Sequence, residues 1–192
     1  MIADGKRGDV PVSAEAYADA LFGSTPTPWG EVAGLGADAA TFNPLLGSDS
    51  LDPLIDRAAA AGAGVFILVR TSNPGASELL DLPAPDAPLH ERIAATVAAA
   101  ADRLAGAGEM SGAGAVVGAT EPQFVGRLRE LMPRAILLLP GVGAQGGAVE
   151  SLGPAFDGPA SALVTASRSV AGADDPAAAA EALRAAVWSV AS

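Results

Sequence analysis

The sequence predicts an α/β fold in which short parallel strands alternate with helices. Short apolar runs rich in branched residues alternate with alanine-rich stretches along the chain, which is the pattern of repeated strand-helix units. A polar or Gly/Pro-rich loop follows nearly every apolar run, so chemically useful side chains collect where the strands end. With 192 residues, half of them hydrophobic, the chain can form one sizeable core, and we expect a single domain over 1–192.

The apolar runs predict six strands, and the alanine-rich stretches predict six helices. The predicted strands are 1–3, 39–42, 64–69, 114–118, 135–139 and 162–165. The predicted helices are 13–22, 28–35, 51–61, 88–105, 121–132 and 176–190. Proline or aspartate near several of the helix starts supports where these helices begin.

The polar loops after successive strands favour a (β/α)8 TIM barrel, because in that fold the loops at the carboxyl ends of all strands build the active site. A doubly wound sheet places its ligand chiefly at one switch point. A complete barrel has eight strands and about 250 residues, whereas this chain has six predicted strands. We therefore expect a barrel that lacks its first two strand-helix units, about 60 residues at ~30 per unit. Two further strands in the sheet would contradict this expectation.

The composition limits the classes of partner. Eleven Lys and Arg stand against 22 Asp and Glu, and the formal charge of -11 repels nucleic acid and anionic membranes. The lack of cysteine excludes disulfide and thiolate chemistry, and a single histidine argues against the usual zinc sites. The sequence has no signal-peptide pattern and no apolar run long enough to cross a bilayer. These features predict a cytoplasmic enzyme that binds neither nucleic acid nor membrane.

The segment DGKRGD near the start places a lysine between carboxylates. Side chains two positions apart in a strand share a face, so Asp4 and Lys6 project together, and Asp9 follows past the strand end. An ammonium group held between acids stays charged and is placed to deliver a proton. The alternative is a surface ion pair beside a glycine turn, which usually contributes under about 1 kcal/mol.

Three later loops offer groups that could bind a substrate. In TSNPGA, Ser72 is the candidate, although Asn73 and Pro74 also suit a plain turn. PGVGAQGG, residues 140–147, has four glycines that free the backbone to wrap an anion with its amides, and it also carries Gln145. Its alternative is a flexible connector. TASRSV ends the last strand with Arg168, which can bind phosphate bidentately or remain a solvated surface charge.

The motifs together resemble those of the orotidine 5'-phosphate decarboxylase family. DGKRGDVPVS, residues 4–13, is similar to the family signature D-x-K-x-x-D-I-x-x-T, with Val10 and Ser13 in place of Ile and Thr. TSNPGA, PGVGAQGG and the Ser-Arg pair at 167–168 follow in the family's order over essentially the whole chain, and the variant is similar to the longer bacterial type.

The resemblance implies conversion of orotidine 5'-monophosphate to uridine 5'-monophosphate and carbon dioxide in pyrimidine synthesis, without metal or organic cofactor. It implies that Lys6 is the proton donor and that Asp4 lies beside the departing carboxylate. Asp9 would reach into the partner's site in a homodimer, and Ser13 would accompany it there and bond the ribose of the substrate. The implied substrate-binding residues are Ser72 for the base and Pro140, Gly143, Gln145 and Arg168 for the phosphate end.

The family's site also needs a lysine from the second barrel strand and an aspartate from the first, and the six predicted strands include neither. Lys6 is the only lysine, so we expect little or no activity from this polypeptide alone. Uncovered barrel edges should also promote association. Two other functions stay open: a magnesium-dependent sugar-phosphate lyase or decarboxylase on a related barrel, whose acids bind the metal, and a non-catalytic phosphate-binding remnant.

Overall fold

A computed structural model describes residues 1–143 and 145–191 of the chain. The strands are β1 Ile2–Arg7, β2 Ser24–Thr27, β3 Gly30–Ala33, β4 Ala39–Phe42, β5 Gly64–Arg70, β6 Ser111–Val117, β7 Ala135–Pro140 and β8 Ala162–Thr165. The α-helices are α1 Pro11–Phe22, α2 Asp52–Ala61, α3 Ala76–Leu80, α4 Leu89–Ala100, α5 Pro122–Leu131, α6 Arg168–Ala171 and α7 Pro176–Ala191. Short 3-10 helices occupy Ser48–Ser50, Val149–Ser151 and Gly153–Ala155.

Six strands form one parallel sheet in the order β1-β4-β5-β6-β7-β8. Each strand pairs in parallel with the next strand of this sheet along the chain. A doubly wound sheet reverses its strand order at a switch point, and this sheet does not reverse. The prediction of six parallel strands wound as in a (β/α)8 barrel is therefore confirmed. Within the described residues, β2 and β3 form a separate antiparallel pair.

The two faces of the sheet carry different side chains, because successive residues of a strand point to opposite faces. The larger apolar cluster joins strand residues such as Ile67 and Leu137 to helix residues such as Leu54, Val97 and Leu128. The smaller cluster, on the other face, consists of the buried residues Ala39, Phe66, Val116 and Leu138. The carboxyl ends of the parallel strands share one edge, and the predicted site residues lie in the last residues of these strands or in the segments that follow them.

The predicted helix at 28–35 is wrong, because this stretch belongs to the β2–β3 hairpin. The pairs run from Ser24 with Ala33 to Thr27 with Gly30. Gly30 has a φ of +115°, which favours glycine and suits a tight turn. The β-branched residues of STPT and GEVA favour strands, in agreement with the observed hairpin.

Other predicted boundaries shift by a few residues. β1 continues to Arg7, so both Asp4 and Lys6 lie inside the strand. β6 begins at Ser111 instead of 114, and α4 ends at Ala100 instead of 105. The short helices α3 and α6 were not predicted. None of the helices in the described part of the chain is long and apolar enough to span a membrane.

Candidate active site

A cavity of about 400 Å³ opens at the carboxyl ends of the strands. Its walls come from β1, β6 and β7 and from the loops that follow β5, β7 and β8. It is lined by most of the residues predicted to form the site: Asp4, Lys6, Ser72, Pro140, Gln145 and Arg168. The fold therefore gathers into one cavity groups that are spread over almost the entire sequence.

Asp4 and Lys6 form a close ion pair at one side of the cavity, called the acid–lysine pair below. Lys6 Nζ lies 2.7 Å from both carboxylate oxygens of Asp4. The Thr41 hydroxyl donates a further hydrogen bond of 2.9 Å to Asp4 Oδ1. Burial opposes the charged carboxylate, but the hydrogen bonds from Lys6 and Thr41 and the Lys6 charge outweigh it and lower the pKa of Asp4 below 3.8. Asp4 is therefore ionised at neutral pH beside an ammonium group.

Ser72 and Gln145 meet across the cavity. The Ser72 hydroxyl donates a hydrogen bond of 3.0 Å to Gln145 Oε1, which joins the loop after β5 to the loop after β7. The Thr120 hydroxyl donates to the Ser72 carbonyl at 3.2 Å. A Cβ at Gly118 would lie 2.7 Å from the Ser72 Cα, so only glycine permits this approach. The turn that carries Ser72 is thus held in a fixed position relative to its neighbours.

The buried Arg70 also holds the turn that carries Ser72. Arg70, only 4% exposed, forms two hydrogen bonds to the Asp81 carboxylate, from Nε at 2.8 Å and from Nη2 at 3.0 Å. Its Nη1 donates to the Thr71 carbonyl at 2.7 Å, and its guanidinium lies 5.0 Å from the centre of the Phe124 ring. The single histidine, His90, is buried here with Nδ1 2.7 Å from the Leu80 carbonyl.

The glycine-rich segment after β7 forms a compact loop that bonds to itself. The amide of Gly143 donates to the Gly147 carbonyl, Gly146 donates to Gly143, and Gly147 donates to Gly141. These three amides thus serve the loop instead of facing outward as an anion cradle. Ala144, inside the segment, lies outside the described residues. The cavity wall from this loop is formed by Pro140, Gly141, Val142 and Gln145, and it does not include Gly143.

Arg168 supplies a cation to the part of the cavity wall that follows β8. It begins α6 directly after the loop that follows β8, and it is exposed toward the cavity. Among the described residues, its guanidinium has neither a hydrogen bond nor an ion pair. Arginine can bind a phosphate with two parallel hydrogen bonds. Thr165 and Ser167 beside it add hydroxyl groups to the same wall.

Asp9 and Ser13 do not line this cavity. The Asp9 carboxylate accepts a hydrogen bond of 2.8 Å from the Val10 amide, and Ser13 lies in the first turn of α1. Between these two residues in the sequence, the side chains of Val10 and Val12 are 53% and 80% exposed. Asp9 and Ser13 are themselves half-buried, and the two valines next to them form an exposed apolar surface.

Sequence reasoning gave no site role to Thr41 or Arg70, which hold the cavity residues in place. Thr41 opens the segment TFNPLLG. Arg70 opens the segment RTSNPGA. The available signal was the same for both, namely a polar residue at the carboxyl end of a buried strand.

Comparison with known proteins identifies relatives over most of the chain. The sequence model of the Orotidine 5'-phosphate decarboxylase / HUMPS family matches residues 1–183. The orotidine 5'-phosphate decarboxylase of Rhodopirellula baltica is 41% identical over 174 residues, which is 88% of this chain and 56% of the relative. That of Thermomicrobium roseum is 41% identical over 190 residues, which is 97% of this chain and 61% of the relative.

Solved structures agree with the sequence comparison. The OMP decarboxylase of Leishmania donovani matches with a TM-score of 0.77 at 33% identity, over 99% of this chain and 68% of that one. The UMP synthase of the same organism matches with a TM-score of 0.78 at 35% identity, over 99% of this chain and 39% of that one. The chain spans between about half and three fifths of the length of the curated relatives named above.

Proposed function

Since the chain belongs to the orotidine 5'-phosphate decarboxylase / HUMPS family, we propose that its cavity binds orotidine 5'-monophosphate and serves its decarboxylation to uridine 5'-monophosphate. One observation carries the proposal. The acid–lysine pair shares a single cavity with the Ser72–Gln145 contact and with the Arg168 guanidinium. These are a proton donor, a hydrogen-bonding group for a base and a cation for a phosphate, all within the reach of one nucleotide.

In the proposed reaction, Lys6 protonates the pyrimidine carbon that loses carbon dioxide. Its ammonium charge also stabilises the carbanion that develops there. The ionised Asp4 carboxylate lies beside the departing carboxylate of the substrate, and their repulsion ends when carbon dioxide leaves. Both carboxylate oxygens of Asp4 accept hydrogen bonds from Lys6, which orients the ammonium group before the substrate arrives.

The phosphate end of the substrate would be bound at the other side of the cavity by Arg168 and Gln145. Binding energy from a remote phosphate can be used to lower the barrier of the chemical step. The hydrogen bond between Ser72 and Gln145 links the residue proposed for the base to a residue proposed for the phosphate. Pro140 and Gly143 would shape the loop that presents Gln145.

We also propose a homodimer in which Asp9 and Ser13 approach the partner's cavity. The exposed apolar side chains of Val10 and Val12 next to them support an interface at this surface. Replacing Val12 by Glu should therefore convert a dimer into a monomer in sedimentation velocity. An exposed valine of the hairpin, Val32, is the matched control, and its replacement by Glu should leave the mass unchanged. A monomeric wild type would contradict this proposal. A cytoplasmic location also stays a prediction.

The proposed function is tested by the loss of orotidine 5'-monophosphate absorbance with the purified chain, in buffer with and without EDTA. Turnover that resists EDTA and disappears in Lys6→Ala supports the decarboxylase, and it would contradict our expectation that this polypeptide alone is nearly inactive. Turnover that EDTA abolishes would favour a magnesium-dependent lyase. Uridine 5'-monophosphate binding without turnover would favour a phosphate-binding role. A chain that neither binds nor converts the nucleotides would overturn the proposal.

Arg168→Ala should weaken uridine 5'-monophosphate binding by about 10- to 100-fold, because a hydrogen bond to a charged group contributes about 1.5 to 3 kcal/mol. Titration calorimetry measures the change. Arg184→Ala is the matched control, since Arg184 pairs with Glu181 on α7 and does not line the cavity. Equal affinities of the two variants would exclude Arg168 from the phosphate site.

A further inference from the structure

The pairing of β1 with β4 is interrupted opposite Thr41. Ala3 pairs with Ala40 and Arg7 pairs with Phe42. Between these two pairs the chain advances by four residues in β1 but by only two residues in β4. Over this stretch β1 therefore carries two more residues than its partner, which makes a bulge. Bulges locally disrupt the hydrogen-bond ladder and re-aim side chains. The acid–lysine pair lies in this bulge.

The backbone of Lys6 has an unusual conformation within the bulge. Its φ is +48°, and among the described residues it is the only non-glycine residue with a positive φ. Such a conformation persists only where the surrounding structure holds it. The Lys6 amide donates a hydrogen bond of 2.9 Å to the Thr41 hydroxyl instead of to a strand carbonyl. Thr41 thus replaces the ladder partner that the bulge removes.

The same hydroxyl also holds the carboxylate of the pair. Thr41 is only 1% exposed, and its Oγ1 donates to Asp4 Oδ1 at 2.9 Å while it accepts from the Lys6 amide. A hydroxyl has one proton to donate and two lone pairs that accept, so both bonds form at once. One buried oxygen therefore fixes the backbone of the lysine and the side chain of the acid that orients its ammonium group.

We propose that Thr41 is a positioning residue that holds the acid–lysine pair in the geometry for proton delivery. Its role in the reaction rests on the proposed function, whereas its hold on Lys6 does not. Threonine suits the position for two reasons. Its β-branched side chain fits a buried strand, and its hydroxyl supplies the two bonds. Valine has nearly the same shape but makes neither bond, and serine makes both without the methyl group.

The single lysine of the chain permits a direct test. Protein labelled with 13C-lysine gives NMR signals from Lys6 alone. The displacement of their chemical shifts from the values in urea-unfolded protein reports how firmly the side chain is held. We expect Thr41→Val to lose most of this displacement and Thr41→Ser to keep it. Asp4→Asn, which removes the ionic partner, defines the signal of an unheld lysine. Circular dichroism confirms that each variant is folded.

If folded Thr41→Val shows a chemical-shift displacement of Lys6 as large as that of the wild type, the proposal is overturned. If Thr41→Val does not fold, Thr41→Ala against Thr41→Ser makes the same comparison, and equal displacements would again overturn it. The readout needs neither turnover nor a nucleotide, so a failure of the proposed function would leave this result standing. Where turnover is measurable, misplacement of the pair should lower kcat by about 10²-fold and leave uridine 5'-monophosphate affinity nearly unchanged.

Discussion

Replacing Arg129 by methionine should lower the free energy of unfolding by about 3 to 5 kcal/mol, since a buried cation network loses its donors. Arg129 is 8% exposed, and it donates to the carbonyls of Ala155 at 2.9 Å, Met132 at 3.0 Å, Ala135 at 2.7 Å and Ser161 at 2.8 Å. These carbonyls belong to the end of α5, the start of β7 and the segment before β8. Burial lowers the pKa of Arg129, and the negative charge of Asp157 opposes this shift.

Urea unfolding followed by circular dichroism measures this loss. Domains of this size are stable by only about 5 to 15 kcal/mol, so the variant should be close to unfolding at 25 °C. Arg134→Met is the matched control, because Arg134 is paired at the surface with the exposed Asp102. Surface pairs contribute about 0 to 1 kcal/mol. A loss of the same size in both variants would refute the special role of Arg129.

Replacing Lys6 by methionine should lower decarboxylation of orotidine 5'-monophosphate by about 10⁴-fold or more, because one residue supplies the proton and the stabilising charge. No other lysine in the chain can take its place. Release of labelled carbon dioxide from carboxyl-labelled substrate measures the rate even when it is low. The prediction is a ratio between variant and wild type, so it holds for any wild-type rate above the uncatalysed background.

Two further measurements separate the roles of Lys6. Its methionine variant should bind uridine 5'-monophosphate within a few-fold of wild type, since Arg168 and Gln145 are untouched. Lys6→Arg keeps the positive charge but supplies a poor acid, because the guanidinium stays protonated in proteins. We expect it to be nearly as inactive as the methionine variant. A Lys6→Met variant with a wild-type rate would remove Lys6 from the mechanism.

Much of the fold was predictable because the strand signals were local. The six apolar runs contain the branched residues that fill a buried parallel sheet, and each prediction lies at or within a few residues of a strand. The residues that line the cavity follow these strands directly, so Asp4, Ser72 and Arg168 could be placed at one edge without coordinates. The helix predicted at 28–35 failed because a short exposed hairpin has no buried face, and its alternation carries little hydrophobic signal.

The parts that escaped prediction depend on tertiary contacts. The bulge that aims Lys6 follows from the register between β1 and β4, which no single segment encodes. The bond between Ser72 and Gln145 joins residues 73 positions apart. The self-bonded glycine loop likewise follows from several positive φ angles acting together, including those of Gly141, Gly143 and Gly146. Sequence spacing identified the groups, and packing determined which of them meet.

The chain-order arrangement of the sheet also has a consequence for biosynthesis. Each strand of the main sheet is bonded to the strand of that sheet that precedes it in the chain. On the ribosome the sheet can grow by one strand at a time as the chain emerges. The cavity, however, has Asp4 on the first strand and Arg168 behind the last. It is therefore completed only when β8 docks, so a nascent chain cannot form this cavity until β8 and the residues that follow it, up to Arg168, have been made.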